Sequence, residues 1–303
     1  MAHLNSRTSL VAVAALTGLA WAVAGPKLAA EPGGARPDFS TNDAAWVFDN
    51  ADFVAIPGEP SPTRNDPAHH YVTNAEFRAT GAQPTYRIAD LSNPNIKPWA
   101  KEIMKRENDK ALSGGMPFSA RASCMPSGVP AFMMAVVEPI HFMQTPTQVT
   151  MIFSGDAQVR RVYLDVPHSA NVKPSWYGES VGHYEGDTLV VDTIGLNDKT
   201  FVDNYRTPHS EKLHVVERYR MIDGGKTLQA EVTLEDPEIF LQPLRVGHRW
   251  RRMQGILTES TCAVPVSTPS SSLASTCSKW PRKVETPLCL TANPKVLWTG
   301  STL

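Results

Sequence analysis

Between residues 159 and 257 apolar and polar side chains alternate with a period of two, and clusters of turn-forming residues interrupt the alternation at short intervals. Residues 180–184 and 188–193 flank the turn Glu185-Gly186-Asp187. Leu189, Val191 and Thr193 then share one face, with Val190, Asp192 and Ile194 on the other. The pattern repeats at 214–222 and 227–234, across Asp223-Gly224-Gly225-Lys226, with 158–165 leading in and 244–257 leading out. Residues 147–153 read as a further strand. Successive hairpins of this kind form an antiparallel meander, which hides its edges by curling. The expected fold is mainly β: an antiparallel meander forming a barrel-like or strongly bent sheet, with a loop-rich N-terminal wrap and one or two helices.

One helix is expected over residues 98–112. Proline opens it, Gly114-Gly115 follows it, and Trp99, Ile103 and Met104 form its apolar stripe. Before it, residues 31–80 are rich in Pro, Asn and Asp, with Phe39 and Trp46-Val-Phe48 as apolar anchors. Residues 131–144 gather Phe132, Met133, Met134, Ile140, Phe142 and Met143 behind the rigid turn Cys124-Met-Pro-Ser-Gly-Val-Pro130. Side chains of this kind usually make core; an adaptable apolar pocket is the functional alternative, because Met repacks readily. The expected organisation is 1–30 signal peptide, 31–120 loop-rich wrap with one helix, 121–265 β domain, and 266–303 a divergent Ser/Thr/Pro-rich tail.

Composition narrows the partners. The 303 residues carry a formal net charge of −1 with no basic stripe, which argues against nucleic acid. Only 19% of residues are charged while 25 are proline, as expected of strands joined by long ordered loops. His3 and Arg7 precede an apolar run over 9–24 that closes on small residues at Ala22-Val-Ala24, with a second candidate cleavage point after Ala30. This is the pattern of a secretory signal peptide, with an uncleaved anchor as the competing reading. The mature chain is expected to be periplasmic or secreted, without a membrane span. Four cysteines in an oxidising compartment, Cys124, Cys262, Cys277 and Cys289, suggest disulfides, and three pairings are open.

Candidate chemistry is sparse. Gly178-Glu-Ser180-Val-Gly182 matches the nucleophile-elbow pattern, but it runs into a strand and hairpin rather than a helix, so Ser180 reads as structural. His69-His70 reads as solvated loop, and His209 and His214 lack metal-ligand spacing, so no metal and no cofactor are expected. From residue 213 onward, Val215, Glu217, Tyr219 and Met221 share one strand face, and His214, Val216, Arg218 and Arg220 the other. Either one face meets solvent, or the barrel encloses a partly polar hollow in which imidazole and carboxylate transfer protons.

Arg160-Arg161-Val-Tyr163, Pro174-Ser-Trp176, residues 178–193, Gly195, Asn197-Asp198-Lys199-Thr200, Pro208-His209-Ser210, Leu213-His-Val-Val-Glu-Arg218 and Val232-Thr-Leu-Glu-Asp-Pro237 resemble a large group of exported bacterial proteins, mostly of unassigned function. That group shares the pattern G-x-S-x-G-x-[WY]-E-G-D-T-L-V-V-D-T. The likeness spans about Cys124 to Cys262 and departs at Tyr184, where Trp is frequent, and at Leu196, where Phe is usual. It implies a shared β scaffold and export, and names no substrate. Two functional readings follow. One is a cofactor-independent lyase, decarboxylase or isomerase acting on a small apolar or aromatic molecule. In it His209 or His214 is the acid/base, Glu217 or Asp192 the partner, and Tyr163, Arg161, Asn197 and Trp176 hold the substrate. The other is a non-catalytic periplasmic ligand-binding or carrier β-barrel.

Overall fold

A computed structural model describes residues 36–40, 44–49, 51–134, 139–154 and 158–254. The expected signal peptide, the tail, and Cys262, Cys277 and Cys289 lie outside the described residues, so the disulfide pairing does too; Cys124 is exposed and unpaired. The strands are β1 (Ala44–Phe48), β2 (Val54–Ala55), β3 (Ile140–Gln144), β4 (Gln148–Phe153), β5 (Gln158–Leu164), β6 (Glu179–Glu185), β7 (Thr188–Ile194), β8 (His214–Ile222), β9 (Thr227–Glu235) and β10 (Leu244–Gln254). They pair in the order β1-β3-β4-β5-β6-β7-β8-β9-β10-β2, and β1 also pairs with β10. Nine strands therefore close into a barrel, with β2 added beside β10.

The hairpin turns lie where the alternation breaks, and each register follows from its turn. Two features depart from a simple meander. The pair β5–β6 is parallel, with Val162 opposite Ser180. A parallel neighbour needs a crossover of roughly a dozen residues or more, and 165–178 supplies it. The barrel is mixed for that reason. The second departure is closure: β1 belongs to the segment expected to wrap the body from outside. Its full length pairs with β10, Ala44 opposite Gln254 and Phe48 opposite Trp250, while Trp46 alone meets β3 at Ile140.

Helix α1 (Asn74–Thr80) was not expected, although Thr73 caps it by accepting a hydrogen bond from Glu76 N. Helix α2 (Pro98–Leu112) covers the forecast residues, yet its inner stripe is Ala100, Met104 and Asn108. Asn108 behaves like a strand partner: its Nδ2 donates to Ala89 O and its Oδ1 accepts from Ala89 N, both at 2.9 Å. Trp99 is turned outward, 48% exposed, and donates its indole N–H to Glu238 O.

The barrel interior is filled. Trp46, Trp250, Tyr219, Phe142, Met151, Leu189, Val191, Val215 and Leu228 are buried and belong to one apolar cluster. Phe132, Met133 and Met134 form a single helical turn buried against it, so that stretch is largely core; Met143 points outward. Set into this core is a hydrogen-bonded polar cluster. Arg160 Nη1 donates to Glu217 Oε1 at 2.9 Å, Nη2 to Glu217 Oε2 and to Thr193 Oγ1, and Nε to Ser180 Oγ. Tyr219 completes it by donating its hydroxyl to Glu217 Oε1 at 2.8 Å.

Candidate functional site

One end of the barrel gathers the start of β8 and the ends of β7 and β9, together with the long β7–β8 loop. The N-terminal segment is laid against that loop, and between them lies a cleft of about 460 Å³. Such a volume lies within the roughly 300–1,000 Å³ usual for small-molecule sites. Its walls are Tyr71, Tyr86 and Arg87 from the wrap, Met116 and Phe118 beyond α2, Met134 under β3, and Thr200, Phe201, Asp203, Asn204 and Arg206 from the loop. Phe118 and Phe201 meet edge to face at 5.2 Å.

The loop is held by its own polar groups. Asp203 is buried; its Oδ1 accepts from Tyr205 N and Thr207 N, and its Oδ2 from the Thr207 hydroxyl at 2.7 Å. Burial raises its carboxyl above the ordinary value, against the pull of those bonds. The Thr207 hydroxyl also meets that of Thr63 at 2.7 Å, tying loop to wrap. Behind the wall, Arg87 Nε lies 3.0 Å from Asp52 Oδ1, and the Tyr205 hydroxyl donates to Asp52 Oδ2. Burial, with the Asp52 charge beside it, pushes the Tyr205 phenol well up. Arg87 also stacks over the Tyr71 ring at 4.3 Å. Arg206 is only 6% exposed and takes a left-handed backbone, φ 63°. Its Nη2 donates to the Arg87 carbonyl, while its Nε has no partner.

The residues singled out from sequence do not converge on this cleft, nor on one another as a group. His209 is buried in the loop. Its Nδ1 donates to Ser210 O, leaving Nε2 to accept from Thr200 Oγ1 at 2.8 Å. Burial lowers its pKa, so it is a neutral clamp behind the cleft wall. Glu217 belongs to the barrel interior with Arg160, and the hollow expected there is filled by that ion pair and its apolar surround. Ser180 serves the same group, accepting from Arg160 and bonding Thr193 Oγ1 at 2.9 Å. The glycines around it answer to packing. Gly178 has φ +61° and a Cβ there would sit 2.3 Å from Ile194 O; one on Gly182 would sit 2.7 Å from Val190 O.

Asp192 and His214 do meet, but on the outer face of the barrel. Asp192 Oδ1 lies 3.0 Å from both His214 Nε2 and His168 Nε2. The chain continues from His168 Nδ1 to Glu179 and from His214 Nδ1 to Glu235. Beside it, Arg161, Tyr163, Lys173 and Glu179 line a polar groove of about 390 Å³ between β5 and the 165–178 crossover. Asn197 bonds locally, its Oδ1 accepting from Lys199 N, and Trp176 is half-buried on the crossover. Among the described residues no cluster of His, Cys, Asp or Glu is arranged to hold a metal ion.

Sequence reasoning passed over Arg87 and Arg206, the two cations of the cleft, and over Arg160 as the partner of Glu217. Arg160 was readable: in β5 it falls in phase with Val162 and Leu164, both buried. Arg206 offered a fainter signal, a cation directly after Tyr205 in the loop sequence Phe201-Val-Asp-Asn-Tyr-Arg206. Comparison with family models, with curated proteins and with solved structures returns no match.

Proposed function

We propose that the chain is an exported, non-catalytic ligand-binding barrel that holds a small, largely aromatic or apolar molecule in the cleft between wrap and loop. One observation carries this reading. The cleft combines aromatic and Met walls with a few convergent polar groups, and among the described residues no histidine lines it. A carrier needs an apolar surface and orienting polar groups; an acid–base enzyme needs a matched proton donor and acceptor at the same place. The leader-like first thirty residues and the resemblance to exported proteins support the compartment.

N-phenylnaphthylamine, a neutral two-ring probe that brightens in apolar sites, tests the reading. It is expected to bind the native protein at one saturable site, and filling the cleft with Ala131→Trp or Ala120→Trp should abolish the signal. No binding to the native chain, or binding indifferent to both substitutions in folded protein, overturns it.

A second reading, the cofactor-independent lyase, decarboxylase or isomerase, draws on the outer-face chain in which Asp192 stands between two imidazoles beside the groove of Arg161 and Tyr163. Turnover of a small molecule from a cell extract that disappears in both His168→Gln and His214→Gln would favour it over the carrier.

A further inference from the structure

The loop spends backbone strain to present one side chain. Residues 202–207 form a tight turn, with Val202 N bonded to Thr207 O and Arg206 N to Asp203 O, and the Asp203 carboxylate locks it from inside. The turn places Arg206 in the left-handed region, where a residue with a Cβ is strained. Arg206 lines the cleft there, 6% exposed as a residue and with its Nε buried.

A buried guanidinium ordinarily has an acid in direct contact, because desolvation otherwise penalises the charge. Here no carboxylate among the described residues pairs with Arg206, and its Nε makes no hydrogen bond. Burial accordingly lowers its pKa, with Glu107 and Asp203 opposing only through space. Both of those acids are otherwise engaged: Asp203 within the turn, Glu107 by accepting from Phe118 N. The other cation of the cleft is already neutralised, since Arg87 faces Asp52. The wall thus carries one positive charge that the protein prepares and does not pair. The same lining carries the four aromatic side chains Tyr71, Tyr86, Phe118 and Phe201.

Resting on the ligand-binding reading, we infer that the cleft selects an aromatic oxyanion, a ring body bearing a carboxylate or sulfonate, whose acidic group is the missing partner of Arg206. The rings supply affinity by burial against the aromatic walls, and the oxyanion supplies orientation. A guanidinium held in advance by a locked turn loses little freedom when the anion arrives.

Two probes with the same rings separate the inferences. Anilinonaphthalene sulfonate carries the anion and N-phenylnaphthylamine lacks it. The native protein should bind the sulfonate more tightly. Arg206→Met and Arg206→Gln should each weaken the sulfonate about tenfold or more, the worth of a charge-assisted bond, and erase its advantage over the neutral probe. Naphthoate should displace the neutral probe from the native chain at lower concentration than naphthamide, an arm that needs no variant. Equal affinity for naphthoate and naphthamide, or sulfonate binding untouched in both Arg206 variants, overturns the anion inference while the cleft reading stands. Failure of both probes on the native chain overturns the cleft reading and this inference with it.

Discussion

Glu217→Gln is the sharpest probe of the interior. The substitution keeps shape and volume and removes one charge. In the native barrel Arg160 is 1% and Glu217 0% exposed at the side chain, and their two-pronged contact is braced by Ser180, Thr193 and Tyr219. Burial works against the Arg160 charge, yet Glu217 outweighs it and holds the guanidinium above its ordinary value. Without Glu217 that charge stays in the core with only hydroxyls and an amide around it. Breaking one half of such a pair costs about 3–5 kcal/mol, against a total stability of roughly 5–15 kcal/mol for a typical domain. Arg160→Met should cost a similar amount by stranding the carboxylate. The double variant Arg160→Met/Glu217→Leu removes both charges. Ser180 and Thr193 still bond each other there, and the Tyr219 hydroxyl is the one group left stranded, at about 1–3 kcal/mol. The double variant is therefore expected to be more stable than either single one, with a coupling of at least about 2 kcal/mol. Urea unfolding followed by tryptophan fluorescence of the native chain, Arg160→Met, Glu217→Leu and the double variant measures all four corners of the cycle, with Glu217→Gln as the isosteric control. Single variants that lose less than about 1 kcal/mol, or losses that simply add, would show the pair to be solvated and refute the argument.

Two further outcomes are expected. His248 is fully buried, ringed by Phe48, Phe53 and Trp250, with neither ring nitrogen hydrogen-bonded. Burial lowers its pKa to about 4. The unfolded chain then binds more protons between that value and about 6.5, so stability is complete above this window and falls as pH drops through it, by about 3 kcal/mol. His209, also lowered by burial, acts with the same sign. Denaturant midpoints from pH 7 to pH 4 should show the slope, and His248→Phe should flatten it; an unchanged slope in the variant refutes the assignment. Arg206→Gly relieves the left-handed strain and removes an unpaired buried charge, so thermal unfolding should shift upward while sulfonate binding is lost. A lower melting temperature would mean that Arg206 holds the loop together rather than awaiting a ligand.

The strands and the second helix were legible because each is specified locally: alternation sets the faces of β7 and β8, and a proline and two glycines bracket α2. Closure was not. Strand β1 is five residues long, lies in a Pro/Asn/Asp-rich segment, and pairs with β10 at the far end of the barrel. No turn couples the two, so no local pattern announces the pairing. The polar faces of β8 divide: His214 faces outward, as the solvent alternative has it, while Glu217 faces inward into a filled interior rather than a polar hollow. What the strand could not disclose was the partner, which sits on β5 across the barrel interior.

Alternation also divides the motif set quoted above by face. Its inward positions, Arg160, Ser180, Thr193 and Glu217, build the polar plug, and its outward positions, Asp192 and His214, build the surface chain. Only Thr200 among its quoted residues reaches the cleft, and His209 lies behind that threonine as a clamp. The quoted motifs stop at Thr200 and resume at Pro208, bracketing residues 201–206 without including them. Those six residues bring Phe201, Asp203, Asn204 and Arg206 to the wall, opposite a wrap that the likeness does not cover either. The residues that fix strand register are therefore not those that line the cleft, so the wall can be altered without touching the register. Phe201→Ser with Asn204→Ser changes the wall and keeps the buried Val202, Asp203, Tyr205 and Thr207, so it should weaken probe binding while leaving the unfolding midpoint near the native one. A variant that unfolds the barrel would place these wall residues among the determinants of the fold instead.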